Sequence, residues 1–157
     1  VATIQLDFNQ PERFDLFCVN EKGEQERIAM IHCAIMGSLE RFLSILIEHY
    51  GGAFPLWLSP AQVRVLPISE KHNDYAKGVL EELKTANIRA EIDESNETLG
   101  KKIRQGKTQK IPYLLVVGDK EAESNTASVE SRDKGALGSM KIPELIEKLK
   151  KETFDKK

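Results

Sequence analysis

The 157-residue sequence is poor in cysteine, in long apolar runs and in charge of one sign. Its two cysteines, Cys18 and Cys33, lie in separate strand-like stretches without C-x-x-C spacing, so we predict reduced core thiols in a cytoplasmic protein and no disulfide. No apolar run reaches the ~18 residues that a membrane span requires, which predicts no membrane partner. The formal net charge of −2 gives the whole molecule no general attraction to nucleic acid, so any such binding needs a local patch.

The sequence also lacks an initiator Met, and we therefore interpret Val1 as a cut end. It has no recognisable acid–base pair, nucleophile triad or glycine-rich phosphate loop. Any catalysis would depend on orienting substrates and on placing charge, because no group for covalent or proton-transfer chemistry stands out.

The most informative stretch is residues 30–42, where an apolar strand meets a helix. The helix is indicated by apolar residues at i, i+3, i+4 and i+7 spacing: Leu39, Phe42, Leu43, Leu46, Ile47 and Tyr50. Gly37 permits a sharp turn, Ser38 is a candidate N-cap, and Gly51-Gly52 ends the helix. Arg41 lies in the first turn beside exposed backbone N–H groups, which suits a phosphate, although such an arginine is most often a surface or ion-pair residue.

The first 50 residues are predicted to form antiparallel strands around this stretch. Strands are expected at residues 1–8, 13–19 and 28–36, with a turn at 9–11 and a hairpin loop at 20–23. In the first strand, Ile4, Leu6 and Phe8 face one way and Thr3, Gln5 and Asp7 the other, where an exposed polar face is the ordinary interpretation. These strands and one helix bury too little surface to fold alone, so we expect the edge of a larger antiparallel sheet.

The second half alternates strands with helices, the pattern of a layered α/β domain. It follows an apolar linker at residues 51–61, which we expect to pack between domains. Strands are predicted at residues 63–68, 88–92, 113–117 and 127–132, and helices at 70–86, at 99–107 and from Pro143 onward. The run at residues 113–117 is continuously apolar, which is typical of a buried parallel strand.

Residues 101–110 form a basic segment with five cations and no acid. Lys101, Arg104 and Lys107 share one helical face at i, i+3 spacing, as contacts to RNA phosphates would need. A solvated helix face explains so short a run equally well.

His32 is a lone histidine on an apolar strand, where a satisfied core residue is the more common outcome. Cys33 cannot join it in a zinc site, because adjacent strand residues face opposite sides. A substrate-binding zinc site needs about three protein ligands, and the sequence offers no others nearby.

The segment Gly37-Ser38-Leu39-Glu40-Arg41-Phe42 resembles motif 3 of the class II aminoacyl-tRNA synthetases. With Met30-Ile31-His32 before it and residues 54–63 after it, the resemblance narrows to the threonyl-tRNA synthetase family and covers nearly the whole chain. It implies an α/β protein in two parts. Residues 1–58 would end a class II aminoacylation domain, as a fragment of its antiparallel catalytic sheet, and residues 59–157 would form a mixed-sheet, three-layer anticodon-binding domain.

The resemblance also implies roles near the N-terminus. Arg41 would hold ATP phosphate, and Thr3 and Gln5 would line the pocket for threonine and its adenylate. His32 would be one of three zinc ligands, with the other two upstream of this chain, and the zinc would recognise the amino and hydroxyl groups of threonine. ATP would enter with magnesium as a substrate. Cys33 stands where the family usually has arginine, which changes the local contacts.

Residues 93–104 resemble the anticodon-binding loop and helix of the same family. Four positions coincide with its anticodon-contacting positions: Asn96, Arg104, Lys110 (in place of a common arginine) and Glu121. Glu130 stands where the family often has arginine. Arg132 lies two residues farther along the same strand face and would contact the anticodon from there.

The function implied is that of a homodimeric parent enzyme, which activates threonine with ATP and charges threonine tRNA. This chain alone would be inactive, because it contains nothing that resembles motifs 1 and 2. Two alternatives stay open. One is a free-standing tRNA- or mRNA-binding module that uses the same surface. The other is a synthetase for another amino acid with a related anticodon domain, in which His32 would have no zinc role.

Overall fold

A computed structural model describes residues 2–156. Val1, interpreted above as a cut end and as the start of the first strand, and Lys157, the last residue of the predicted second domain, lie outside the described residues. The chain divides after His49 into two compact units, which are described separately below. The boundary predicted between residues 58 and 59 stays a prediction. Among the described residues, no helix has the length and apolarity needed to cross a bilayer.

The first unit contains two antiparallel strand pairs and two helices. Its elements are β1 (Thr3–Asp7), α1 (Asn9–Arg13), β2 (Phe17–Val19), β3 (Gln25–Arg27), β4 (Met30–Ala34) and α2 (Leu39–Tyr50), whose last residue belongs to the second unit. Strand β1 pairs with β4, and β2 pairs with β3. Gly37 has a φ of +63°, and the Arg41 N–H donates to the Ser38 hydroxyl at 3.3 Å, which confirms the predicted turn and N-cap.

Three predictions of secondary structure for this unit are wrong. Residues 9–13 form a short helix in place of a turn and the start of a strand, because the Asp7 carboxylate accepts the N–H groups of Asn9 and Gln10 at 2.8 and 3.0 Å. The hairpin partner of β2 is β3, whose three residues are all polar and exposed, so no apolar alternation marked it. The predicted strand at residues 28–36 shortens to β4 and pairs with β1 instead.

The first unit has almost no buried core within its described residues 2–49. Pro11 is its only buried residue, while Ile4, Leu6 and Phe8 are 64–72% exposed and α2 has no buried residue. Cys18 and Cys33 carry free thiols but are exposed, so the prediction of buried core thiols is wrong. The physical reason is the one expected from the sequence: two strand pairs and a helix cannot cover each other's apolar faces.

The second unit is built on a five-stranded mixed sheet in the order β6-β5-β7-β8-β9. Its elements are β5 (Val63–Pro67), a 3₁₀ turn (Glu70–His72), α3 (Asn73–Thr85), β6 (Ala90–Ile92), α4 (Leu99–Thr108), β7 (Tyr113–Val117), α5 (Asp119–Ser124), β8 (Thr126–Ser131), β9 (Gly135–Lys141) and α6 (Ile142–Phe154). Strands β5, β6 and β7 are parallel, and β8 and β9 are antiparallel to their neighbours.

Helices cover both faces of this sheet, which confirms the predicted three-layer α/β fold. The larger core joins one face of the sheet to α3 and α6 and includes Val65, Leu83, Leu115, Leu145 and Leu149, each at most 1% exposed. A smaller cluster on the other face joins Leu66 and Leu114 to α4 through Ile103. Alternate side chains of β5 and β7 therefore pack into the two clusters, as expected for strands that are buried on both faces.

Two elements of the second unit were not predicted from the sequence. Strand β9 contains Gly135 and Gly138 at φ values of +73° and +85°, and a register shift interrupts its pairing with β8. Its sequence also has no β-branched residue and no regular apolar–polar alternation, so neither strand signal marks it. Helix α5 has only six residues, too few for a helical apolar period.

Candidate functional site

The polar face of β1 carries the residues predicted near the N-terminus. Gln5 lies directly opposite His32 in the β1–β4 register, and Thr3 and Asp7 fall on the same face of β1 as Gln5. The structure therefore brings Thr3, Gln5 and His32 onto one surface. A concave depression there is lined by Gln5, Asp7 and His32 together with Leu6, Phe8 and Asn9.

Asp7 is the residue that the sequence interpretation missed on this surface. Its Oδ2 lies 2.9 Å from Nε2 of His32. A backbone hydrogen bond from Gln10 and the contact with His32 hold the pKa of the Asp7 carboxyl below its usual value, so Asp7 is an anion at neutral pH. The alternation of polar residues along β1 already placed Asp7 on this face, but nothing in the sequence linked it to His32.

His32 does not fit a buried core role, because 42% of its side chain is exposed. It does not form a metal site within this chain either. Among the described residues, no group of three His, Cys, Asp or Glu side chains could hold a metal ion. The donor set that this chain presents, one imidazole beside one carboxylate, does not fit zinc by itself.

Arg41 is exposed at the start of α2, where backbone N–H groups are not yet paired within the helix. Its guanidinium has no hydrogen-bond or ion-pair partner in the part of the chain that the structure describes. It is therefore free to meet an anion at the positive end of the helix dipole.

In the second unit, the carboxyl ends of β5, β6 and β7 lie at one edge of the sheet, called the carboxyl edge below. Asn96 lies exposed in the loop after β6, and Glu121 lies in α5, just after β7. Glu121 accepts the Gly118 N–H at 3.1 Å, which fixes its carboxylate at the start of α5. This edge is where several elements can meet one ligand.

The basic segment is less available than its composition suggested. Lys101 pairs with Glu97 and Lys107 with Glu130, both at 2.5 Å. The ion pair with Lys107 partly neutralises the charge of Glu130 on the α4 side of the sheet.

Arg104 is exposed on α4 and lines a depression with Lys101, Gln105, Thr108 and Gln109. Its guanidinium has no acidic partner among the described residues. Of the three cations that share this helix face, Arg104 is the one best placed to contact an RNA phosphate.

Lys110 and Arg132 lie at the opposite edge of the sheet, near the start of β7. Both bind backbone carbonyls: Lys110 Nζ donates to Gly51 O, and Arg132 Nη1 donates to Phe54 O at 2.9 Å and to Lys110 O at 3.2 Å. Arg132 also donates to Asp133 and so lowers the pKa of that carboxyl. The structure thus separates Lys110 and Arg132 from Asn96 and Glu121, and the RNA-contacting role of all four stays a prediction.

Residues 51–60 form a strap whose backbone carbonyls are held by side chains of the second unit. Besides the contacts of Lys110 and Arg132, Gln62 Nε2 donates to Leu56 O at 2.9 Å, and Arg89 donates to Ser59 O and Trp57 O at 2.9 and 2.8 Å. Leu56 is 2% exposed. The apolar linker therefore packs against the rest of the second unit. The expectation that it packs between domains stays a prediction, and the side chains that hold it could not be predicted.

A second set of contacts ties the start of α5 to the turn after β5. His72 is 5% exposed, its Nδ1 accepts the Ser69 N–H at 3.3 Å, and its Nε2 therefore carries the proton donated to Asp119 at 3.2 Å. Lys71 Nζ also donates to Asp119, at 2.7 Å. Hydrogen bonds from Lys71 and then His72 lower the pKa of the Asp119 carboxyl. The only sequence signal was a serine three residues before a histidine at a helix start.

Comparison with known proteins matches both parts of the chain. Residues 62–152 match the family model described as "Anticodon binding domain", and residues 1–50 match that of the "tRNA synthetase class II core domain (G, H, P, S and T)". The chain belongs to the anticodon-binding domain family. It carries a segment of the class II core domain before that family domain, which confirms the predicted combination.

Two curated relatives are threonine–tRNA ligases. That of Syntrophomonas wolfei is 56% identical over 155 residues, which cover 99% of this chain and 24% of the relative. That of Carboxydothermus hydrogenoformans is 51% identical over 156 residues, 99% of this chain and 25% of the relative. The chain therefore spans about a quarter of the length of these relatives. These matches confirm the resemblance to the C-terminal part of the threonyl-tRNA synthetase family.

One solved structure agrees with this assignment, and a second shows the fold. The RNA binding domain of threonyl-tRNA synthetase from Cryptosporidium parvum superposes with a TM-score of 0.83 at 39% identity, over 98% of this chain and 39% of that one. Prolyl-tRNA synthetase from the same organism superposes with a TM-score of 0.69 at 24% identity, over 99% of this chain and 33% of that one, and shows the fold alone.

Proposed function

We propose that this chain works as part of a threonine–tRNA ligase, which activates threonine with ATP and transfers it to threonine tRNA. The observation that carries the proposal is the similarity to threonine–tRNA ligases over 99% of the chain, at 51–56% identity for the relatives described above. Similarity to prolyl-tRNA synthetase is restricted to the fold, so it gives no support to another amino acid. The proposed parent is a homodimeric cytoplasmic enzyme.

The first unit would supply part of the activation site. Arg41 would bind a phosphate of magnesium-bound ATP, supported by its exposed position at a helix start and its lack of a partner among residues 2–156. Thr3 and Gln5 would line the threonine pocket from their shared face of β1. The substrate carboxylate attacks ATP in this chemistry, so these residues orient substrates and stabilise charge without forming a covalent intermediate.

His32 would contribute one zinc ligand, and only together with ligands from the rest of the parent. The support is its partly exposed imidazole on the same face as Gln5, with Asp7 bound at Nε2. A carboxylate on one ring nitrogen fixes the ring and leaves the other nitrogen for a metal. Zinc, when bound, would supply recognition of the threonine amino and hydroxyl groups.

The second unit would recognise the anticodon loop. Asn96 and Glu121 lie at the carboxyl edge and offer amide and carboxylate groups to unpaired bases, which is how proteins usually read RNA sequence. Arg104 would contribute salt-dependent affinity through phosphate contacts. Lys110 and Arg132 would contact RNA at the opposite edge. Their N–H groups donate to carbonyls of the strap and would have to bind RNA as well.

A second candidate function is a free-standing RNA-binding module. It is favoured by one observation: the second unit contains its own buried core, whereas the first unit has almost none among its described residues. In that case RNA binding would not be accompanied by aminoacylation.

The test is threonine-dependent exchange of pyrophosphate into ATP, measured for this 157-residue chain and for the full-length protein that carries it. We expect exchange and charging of threonine tRNA by the full-length protein, and none above a blank by this chain alone. Exchange by this chain would overturn the proposed division of labour. A full-length protein that binds threonine tRNA but never charges it would favour the binding module.

A further inference from the structure

Lys102 is the one lysine of the basic segment that does not reach solvent. The side chain of Lys102 is 4% exposed, whereas the nearby Lys101 and Arg104 are exposed on the outer face of α4. Its Nζ donates to Pro67 O at 3.1 Å and to Asp93 O at 3.0 Å. Composition placed Lys102 among five available cations, and the structure removes it from that set.

These two hydrogen bonds join separate elements at the carboxyl edge. Pro67 is the last residue of β5, and Asp93 is the first residue after β6. Two carbonyls at strand ends therefore share one ammonium group that comes from α4. The loop after β6 is consequently tied to both β5 and α4.

The tied loop is the one that carries Asn96. Asp93 Oδ1 accepts the Ser95 N–H at 3.0 Å, and Glu97 pairs with Lys101, so the loop is also fixed on both sides of Asn96. Burial alone would raise the pKa of the Asp93 carboxyl, but its hydrogen bonds with Ser95 and the nearby charge of Lys102 bring it below its usual value. The loop therefore holds an anion beside the buried ammonium.

Burying an ammonium group costs free energy, because the group loses its hydration and regains only the hydrogen bonds that it makes in the protein. An apolar side chain of the same length would avoid that cost but would leave two carbonyls without this donor. What Lys102 adds, and an apolar side chain cannot, is a fixed position for the loop.

We propose that Lys102 is a positioning residue, which holds the loop at residues 93–98 so that Asn96 meets an unpaired RNA base in one orientation. The proposal rests on the anticodon recognition proposed above. Because Lys102 does not touch the RNA itself, it affects which base is preferred more than it affects the general attraction to phosphate.

The experiment compares Lys102→Met with Lys107→Met, two substitutions that each remove one positive charge from α4. Lys107 is the control because it pairs with Glu130 of β8, outside the loop. The probes are threonine-tRNA anticodon stem-loops, one matched and one altered at a single anticodon base. We expect Lys102→Met to lose about tenfold in affinity for the matched loop and much less for the altered loop, because it disorders the presentation of Asn96. Lys107→Met should weaken both loops by a similar small factor and leave their ratio unchanged.

A double-mutant cycle separates positioning from general damage. In an Asn96→Ala background, Lys102→Met should change the ratio of matched to altered affinity no further, because the group that it positions is gone. An independent further loss of the ratio in that background would overturn the proposal. Folding of each variant is checked by circular dichroism, and Lys102→Gln, which keeps an amide donor, should restore part of the ratio.

Each outcome decides between the two proposals. If the wild-type chain prefers the matched loop and Lys102→Met keeps that preference, the role of Lys102 is refuted and anticodon recognition stands. If the wild-type chain shows no preference, anticodon recognition falls and the role of Lys102 falls with it. If both Lys102 variants unfold, Lys102 is a structural residue and the positioning proposal is wrong.

Discussion

Gly106 is a point of close approach between α4 and Leu114 of the sheet, and Gly106→Ala tests how closely the two pack. A Cβ added at Gly106 would lie 2.6 Å from Cδ2 and 3.0 Å from Cδ1 of Leu114. Leu114 is 3% exposed and belongs to the small cluster with Leu66 and Ile111. Two carbon atoms at 2.6 Å are far inside the ~3.5–4.0 Å of a favourable contact, so Leu114 or the helix must move.

Two opposing effects set the magnitude. Replacing glycine by alanine inside a helix stabilises the folded state by roughly 1 kcal/mol. Overpacking a well-filled core costs about 1–3 kcal/mol, because side chains leave their rotamers or the backbone shifts. Leu114 is held between α4 and neighbouring strand residues, so we expect the upper part of that range and a net destabilisation of about 1–2 kcal/mol.

Gly78→Ala in α3 and Gly100→Ala in α4 are the matched controls, because an added Cβ meets nothing within 4 Å at either position. Both should stabilise the chain by about 0.5–1 kcal/mol. Trp57 is the only tryptophan and lies in the second unit, so its fluorescence in a urea titration reports the unfolding of that unit. If Gly106→Ala were as stabilising as Gly78→Ala, α4 would not pack against β7 at this distance and the described position of Arg104 would be wrong.

Three further predictions concern single side chains. Burial and then the hydrogen bond to Glu152 raise the pKa of Tyr113 above its usual value of 10. The stabilisation by its neutral hydroxyl is therefore complete below pH 10 and is lost as the pH rises further. In alkaline urea titrations the free energy of unfolding of the wild type should fall by up to ~1.4 kcal/mol per pH unit relative to Tyr113→Phe, and an equal fall in both proteins would contradict this. In the full-length protein, Arg41→Ala should cost about 3 kcal/mol in the transition state for threonine activation without loss of fold, and a normal exchange rate would make Arg41 a surface residue. His32→Ala in the same protein should lose both zinc and threonine binding, and full zinc occupancy by elemental analysis would remove His32 from the proposed site.

Much of the second unit could be predicted because its pattern is local. The apolar run that became β7, the helical period of α3 and the strand-helix alternation each reflect which face of an element is buried. Strand β9 could not be predicted, because its two glycines and its register shift are stabilised by pairing with β8 and not by its own sequence.

The shared face of Thr3 and Gln5 could be predicted, because alternation along one strand places them there. His32 joins that face only through the pairing of β4 with β1, which was not predicted from the sequence. The burial of Lys102 could not be foreseen, because its partners are carbonyls from β5 and from the loop after β6. Only the folded sheet brings those carbonyls to one place.

Lys110 and Arg132 illustrate the same limit of sequence reasoning. The resemblance implied contacts with RNA, and the structure shows their donors on carbonyls of the strap and, for Arg132, on Asp133. Contacts between a side chain and a distant backbone leave no periodic signal in the sequence. Whether these two residues also touch RNA stays a prediction.

The measurement that tests the central claim most directly is the affinity of the wild-type chain for threonine-tRNA anticodon stem-loops with matched and altered anticodons, at two salt concentrations. We predict a clear preference for the matched loop, which Asn96→Ala removes. Arg104→Ala should weaken all loops about equally and reduce the slope of log affinity against log salt by about one. Equal affinity of the wild type for every loop would contradict the account and leave only a basic surface on α4.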